Sequence, residues 1–455
     1  MAGNLDAEQL KQMVHDNEID TVLVVFVDMQ GRFMGKRVMG EFFLDEILGD
    51  EGMHACNYLL TVDVDMEPLP GYRFANWDKG YGDFACVPDM NTLRLIPWLE
   101  KTALVLCDLV TEEGDIVEVS PRQMLKRQLE RAAAKGITFK MGSELEFYLF
   151  KDSYDEVVEK DFRDLSPHSK YIEDYHILQT TRDEYLIRQI RNGMKAAGVP
   201  IEFSKGEWGR GQHEINLTYS DPLEMADNHS IYKNGVKEIA GLNNRAATFM
   251  AKFSMDEAGS SFHLHSSLWD TDDNPMGWSD DSPGHLSETM RFFLGGLIST
   301  GREFAWMFAP YVNSYKRYQP ESWAPTALAW GADNRTCGFR MVGHQKSFRV
   351  ESRIPGADAN PYIAFAATIA AAMHGIENRI EPPEMYRGNA YEATDVERVP
   401  WNLVEATELL EQSEVAKKAF GDEVHFHLVN TAQQEWKRFN QVITDWELQR
   451  NFERI

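Results

Sequence analysis

Phe139–Phe150 reads FKMGSELEFYLF, an apolar run that carries two carboxylates, Glu144 and Glu146, two residues apart. In an extended strand alternate side chains share a face, so both carboxylates point the same way. A solvated outer face is one reading of a single such pair. The Phe, Tyr and Leu around it argue instead for a strand in a packed sheet whose acidic face is kept for use. Three other stretches repeat the device. Glu207–Glu214 reads EWGRGQHE and runs into the alternating HEINLTYS (213–220), with glycines that permit a tight loop between Glu207 and Glu214. Gly259–Trp269 reads GSSFHLHSSLW and places His263, His265 and Ser267 on one strand face. Lys346–Tyr362 reads KSFRVESRIPGADANPY, with Arg349, Glu351 and Arg353 on one face and Phe348, Val350 and Ile354 on the other. An outward ladder of salt bridges would account for the charges of any one of these strands. It does not account for four of them in one chain.

The donor set is rich in oxygen and free of thiolate, which suits Mg²⁺ or Mn²⁺ better than a structural zinc. Arg317, Arg335, Arg340, Arg349 and Arg353, with Lys346, add cationic groups able to grip phosphates and a carboxylate. Carboxylates for hard metals beside an arginine cluster are what ATP-dependent phosphoryl transfer needs, because both neutralise charge on the transferring group. Neither a Walker loop nor a kinase glycine loop is present, so a nucleotide would be bound in another way.

The bulk numbers agree. With 455 residues the chain exceeds one ordinary core. Its 72 acidic and 46 basic residues leave a formal charge of -26, which disfavours nucleic acid and anionic membranes as partners. No apolar run spans a bilayer and no secretory leader precedes the first strand, so a soluble, cytoplasmic protein is expected. Cys56, Cys86, Cys107 and Cys337 are scattered, which indicates neither a disulfide framework nor a zinc cluster. Thr21–Val38 reads as strand, turn at Gly31, strand, and Ala103–Val110 as a buried strand. Residues 50–90 read as irregular. A helix starts at Ser120 with Pro121 in its first turn and Gly136 as its stop, and another follows a Thr181/Glu184 capping box. The domain boundary is expected near residue 117.

Taken together, GSELEF, EWGRGQHE, GSSFHLH, NSYKR, NRTCGFR and VESRIPGADANPY occur in the order and approximate spacing of the glutamine synthetase family, and the resemblance covers nearly the whole chain. It implies an α+β fold: a β-grasp domain over 1–117 and a catalytic domain of antiparallel strands and helices over 118–455. It also implies a homo-oligomer of two stacked six-membered rings, a dodecamer, with active sites between neighbouring subunits. The cofactors implied are ATP as co-substrate and two or three Mg²⁺ or Mn²⁺ ions. By position, Glu146, Glu207 and Glu214 resemble the ligands of one metal, and Glu144, His263 and Glu351 those of another. Glu202, His265, Ser267, Arg340, Lys346 and Arg349 match nucleotide positions. Gly259, Arg317 and Arg353 match glutamate positions, and Arg335 the arginine near the transferred phosphate. Tyr391 falls near a tyrosine that some bacterial members adenylylate. It reads here as an ordinary surface tyrosine.

Two departures lie on the nucleophile's side. Where the family carries a glutamate before Ala-Pro in the loop after SYKR, this chain has Trp323. The Asp-Gly-Ser-Ser segment that supplies an ammonium-binding aspartate is replaced by MHACNYLLTVDVD (53–65). Both changes remove negative charge that would offset desolvation of NH₄⁺. An indole offers an apolar wall and a π face to an amine that bears carbon. The resemblance therefore implies the branch that joins the γ-carboxylate of glutamate to an organic amine through γ-glutamyl phosphate, with Trp323 and Arg335 in the reacting site. Glu321, Asp63 or Asp65 are candidate replacements for the missing base. Three readings stay open beside it: Trp323 as loop packing only, a glutamine synthetase that uses ammonia, and a non-catalytic structural or regulatory ring.

Overall fold

Thr21–Val27 (TVLVVFV) is apolar on both sides and becomes the buried strand β1, as expected of a strand with neighbours on each edge. The computed structural model describes residues 3–49 and 52–455. Its first sheet is built from β1, β2 (Phe33–Met39), β3 (Met53–Cys56), β4 (Asp83–Pro88), β5 (Arg94–Leu95) and β6 (Thr102–Val110), in the order β2-β1-β6-β4-β3 with β5 beside β6. β1 and β6 pair in parallel, Val22 opposite Ala103, and their neighbours are antiparallel. The β1–β2 turn uses Gly31 at φ +77°, and Asp28 accepts the amides of Gln30 and Arg32. The stretch read as irregular contains β3, β4 and short 3₁₀ turns. Its alternation is too short to stand out between glycines and prolines, and positions 50 and 51 lie outside the described residues.

The second sheet comprises β7 (Ile137–Phe150), β8 (Ile201–Gly206), β9 (Gln212–Leu217), β10 (Ala246–Thr248), β11 (Phe262–Asp270), β12 (Trp330–Ala332), β13 (Phe339–Val342) and β14 (Arg349–Ser352). The order is β12-β13-β14-β11-β7-β9-β8, with β10 also on β7, and every pair except β12/β13 is antiparallel. All four stretches singled out above contribute strands to this sheet. One side is covered by the helices Pro121–Ala133, Pro222–Leu242 and Pro361–Asn378. The last is buried along nearly its whole length and meets the helix Glu288–Thr300 at bare backbone: a Cβ on Gly296 would stand 2.1 Å from the Ala371 carbonyl.

Arg122 ties the first sheet to the helices that cover the second. Its buried guanidinium donates to Asp89 (2.7 Å), Asp108 (2.6 Å) and both oxygens of Asp227 (3.1 Å). Removing it would leave the buried Asp227 carboxylate with only the Tyr362 hydroxyl as a partner, a cost of about 3–5 kcal/mol.

The helix Pro121–Ala133 has Ser120 at its N-cap position, although that hydroxyl makes no capping bond. The helix Glu184–Ala196 lacks the Thr181/Glu184 capping box. Asp183 holds its N-cap position, and the Thr181 hydroxyl donates back to Ile177 at 2.9 Å, because residues 177–180 form a short helical turn of their own. Among the described residues no helix is long and apolar enough to cross a membrane.

Candidate active site

Strand register turns the scattered carboxylates into a lattice. Glu144 on β7 lies opposite His263 on β11 and Asn216 on β9. Glu146 lies opposite Glu214, which lies opposite Lys205 on β8. Glu351 on β14 lies between Arg340 on β13 and His265 on β11. Each step of two residues keeps the side chain on one face, so all of these rungs except His265 project into the same space. That space is a cavity of about 430 Å³.

All six residues aligned with metal ligands meet there. Oxygens of Glu146, Glu207 and Glu214 lie within 4.8 Å of one another, and so do ligand atoms of Glu144, Glu214 and His263. His263 Nδ1 is 3.4 Å from Glu144 Oε2 and 3.6 Å from Glu351 Oε1. Burial and the neighbouring Glu207 push the Glu146 carboxyl up to about 8, and burial together with Glu144 raises Glu214 well above the usual range. Carboxylates crowded in this way are short of positive charge. Lys205 pairs with Glu207 and supplies part of it. The oxygen-rich set, the buried His263 Nε2 that has no hydrogen-bond partner, and the unpartnered Asn216 Oδ1 fit divalent cations.

At the opposite edge the charges are already paired. Arg340 donates to Glu351 Oε2 (2.8 Å) and Arg353 to Glu351 Oε1 (2.5 Å). Although burial opposes it, Arg353 with His263 and His265 holds the Glu351 carboxyl down at about 2. Arg349 Nε donates to His265 Nδ1 at 3.0 Å, which leaves the ring proton on Nε2, 3.0 Å from Glu144 Oε1. His265 therefore stands against a carboxylate of the first cluster while lining the next space. That space is a cleft of about 330 Å³ bounded by Glu202, His265, Ser267, Lys346 and Arg349, five of the positions aligned with nucleotide contacts. Glu144 and Asn216 line both spaces and so form the wall between them. Arg335 and Arg340 line the larger cavity rather than this cleft.

Several aligned residues stand elsewhere than expected. Arg317 is 1% exposed and does not line the cavity. Its guanidinium donates to the carbonyls of Ile354 (2.8 Å) and Arg353 (2.9 Å) and to Ser261 Oγ (2.8 Å), so it acts from behind the wall by holding Arg353 in place. Gly259 lies on the cavity surface, and a Cβ there would meet Arg317 Cγ at 2.6 Å, so the glycine is needed for that packing. Glu321 is exposed and outside the cavity lining, although its loop neighbours Ser322, Trp323 and Ala324 line it. Asp63 is tied to Arg438 and to the amides of Asp65 and Glu67, and neither Asp63 nor Asp65 lines this cavity. Tyr391 is half-buried with its hydroxyl enclosed, not a surface tyrosine.

Trp323 does face the cavity. It is 51% exposed at the rim, in a left-handed conformation (φ +63°) that a bulky residue rarely adopts, and its carbonyl accepts from Arg353 Nη2 at 3.3 Å. Its ring stands 6.1 Å from that of Trp208, which is 50% exposed. Phe203 and Tyr175 continue this wall, and Lys205 Nζ lies 4.8 Å over the Tyr175 ring. Trp208 was overlooked in the sequence, although it follows Glu207 directly within EWGRGQHE. Lys205, two residues before Glu207 near the end of β8, was missed as well.

Residues 118–451 match the catalytic domain of glutamine synthetase. The chain is 50% identical over 452 residues to a γ-glutamylethanolamide synthetase, GlnA4, of Streptomyces coelicolor, a match covering 99% of this chain and 96% of that one. A glutamate–isopropylamine ligase of a Pseudomonas species is 38% identical over 445 residues, 97% of each chain. Among solved structures, one titled as a GmaS/ADP complex aligns with a TM-score of 0.85 at 28% identity, over 98% of this chain and 99% of that one.

Proposed function

The chain belongs to the glutamine synthetase family, and from that premise we infer that it is an ATP-dependent glutamate–amine ligase. It joins the γ-carboxylate of glutamate to a small aliphatic amine and releases ADP and phosphate. The observation that carries this reading is the aromatic pair Trp208 and Trp323 at the mouth of the cavity, where a charged ammonium pocket would need a carboxylate.

Divalent cations held by Glu144, Glu146, Glu207, Glu214, His263 and Glu351 would supply charge neutralisation for the phosphoryl group. Glu202, His265, Ser267, Lys346 and Arg349 hold the nucleotide in the smaller cleft, so its terminal phosphate approaches the wall shared with the larger cavity. Arg353 and the Gly259 backbone seat glutamate, with Arg317 bracing Arg353 from behind. Arg335 and Arg340 face the γ-carboxylate as it becomes an acyl phosphate. The amine then enters past Trp208 and Trp323. Its carbon substituent covers the indole surfaces, and its nitrogen displaces phosphate. An alkylamine with a pKa of about 10 must lose a proton first.

The same reading carries a homo-oligomeric ring assembly, a dodecamer of two hexamers, in the cytoplasm. Ile443, Trp446 and Phe452 are each exposed, and large apolar side chains left in water suit cover by another subunit. Light scattering after gel filtration tests the assembly.

Phosphate release measured with ATP, glutamate and ammonia, ethanolamine or isopropylamine tests the activity. A higher kcat/KM for an organic amine than for ammonia is expected. The reverse order would return the chain to ammonia chemistry, and no release with any amine would leave the non-catalytic ring.

A further inference from the structure

Away from both cavities, three buried side chains converge behind β9. Glu173, Asp183 and His213 are each at most 1% exposed, and one ligand atom from each lies within 4.8 Å of the others. His213 Nε2 is 3.1 Å from Asp183 Oδ2 and 3.7 Å from Glu173 Oε2. His168 reaches the other Asp183 oxygen through Nδ1. Both oxygens of Glu173 are buried without a hydrogen-bond partner.

A histidine relay centred on Asp183 is the simpler account of this cluster, and it leaves Glu173 unexplained. Among the described residues no lysine or arginine pairs with Glu173 or Asp183. With neutral imidazoles the pocket would hold two negative charges away from water. One protonated His213 would pair with Asp183 at 3.1 Å but stand 3.7 Å from Glu173, beyond hydrogen-bond reach, so the Glu173 oxygens would still lack a donor. A divalent cation answers both. Two ligand atoms at about 2.1 Å from one tetrahedral ion stand roughly 3.4 Å apart, and the two distances from His213 Nε2 bracket that value. An imidazole with two carboxylates favours zinc-class ions over Mg²⁺ or Ca²⁺.

We propose that Glu173, Asp183 and His213 form a structural divalent-metal site of the zinc class, separate from the carboxylate clusters of the cavity. Its place in the fold gives it a task. Residues 166–176 cross over the loop that carries Glu207, bridging Phe150 to Pro167 and Ile172 to Arg210. Two glycines allow that crossing: a Cβ on Gly206 would stand 2.6 Å from Glu173 Cβ, and one on Gly211 would stand 3.0 Å from the His168 amide. An ion there fastens this crossing segment to β9 between Gln212, which binds Glu146, and Glu214. His168 is a positioning residue that orients Asp183.

The proposal does not depend on the ligase reading, because its test measures metal. Full-length protein is stripped with a chelator, equilibrated with ZnCl₂ in excess Mg²⁺ to occupy the cavity carboxylates, gel-filtered and assayed for zinc by plasma mass spectrometry. Wild type is expected to retain one zinc per chain, Glu173→Gln and Asp183→Asn to lose it, and Glu351→Gln to keep it. No retained zinc in wild type, or equal retention in Glu173→Gln, overturns the site. Should the variants fail to fold, zinc-edge anomalous diffraction from wild-type crystals decides. A peak between the three side chains supports the site, and ordered side chains without a peak overturn it.

Discussion

The two ends of the cavity are built differently. At the phosphoryl end, Glu144, His263, Glu351 and Arg340 stand on adjacent strands, each held by a register partner, and the buried Arg353 follows directly after β14. At the amine end, Trp208 and Trp323 stand on loops, half exposed, and meet through their rings. Sheet geometry locks directions that phosphoryl transfer requires to within a fraction of an ångström, whereas a loop can change its side chain without disturbing the sheet. The difference teaches where such an enzyme can alter its nucleophile while its first chemical step stays the same. Arg353 spans both ends: one nitrogen holds Glu351 and the other holds the Trp323 carbonyl.

If the phosphoryl end is the rigid one, Glu351→Gln should be the most damaging change. It removes a metal-facing charge and the partner of two arginines. A fall of about a thousandfold in kcat, or about 4 kcal/mol, is expected with every amine alike. A loss seen with one amine only would break the division between the ends. Next, Trp323→Glu places a carboxylate at the mouth. The ratio of kcat/KM for organic amine over ammonia should fall about a hundredfold, or about 2.7 kcal/mol, in competition assays. An unchanged ratio would mean that Trp323 is loop packing. Trp208→Ala should raise the KM for amine about fivefold and leave that for glutamate nearly unchanged, since truncating one partly exposed aromatic contact costs about 1 kcal/mol. Glu321→Gln should have the smallest effect, within about twofold in kcat, because that carboxylate does not reach the cavity. A larger loss would show that the loop closes differently over bound substrates.

Much of the phosphoryl end was legible beforehand, since strand alternation states which residues share a face. Glu144 with Glu146, His263 with His265, and Arg349 with Glu351 could all be paired from spacing alone. The amine end was harder. Trp208 carried no periodic signal, because a loop residue between glycines has no face until the loop is folded. Arg317 shows the complementary error. Its type suits a carboxylate, but the 3₁₀ turn Ser314–Arg317 directs it into the wall, where backbone carbonyls use its donors. The Thr181/Glu184 capping pattern failed for a similar reason, since a local motif was overridden by the turn before it.

By itself the sequence determined the kind of chemistry: hard-metal carboxylates, cationic groups for phosphates, and an indole where an ammonium pocket would carry charge. Those are properties of residue type and of a two-residue period, which survive without coordinates. Only the tertiary structure decided which groups touch the cavity. Register brought Glu351 beside His265 and Arg340, chain returns put Trp208 against Trp323 and Arg317 behind the wall, and a crossing segment closed Glu173 over Asp183 and His213. Such placements depend on contacts between residues far apart in the chain, and no local pattern encodes the direction from which a distant segment arrives.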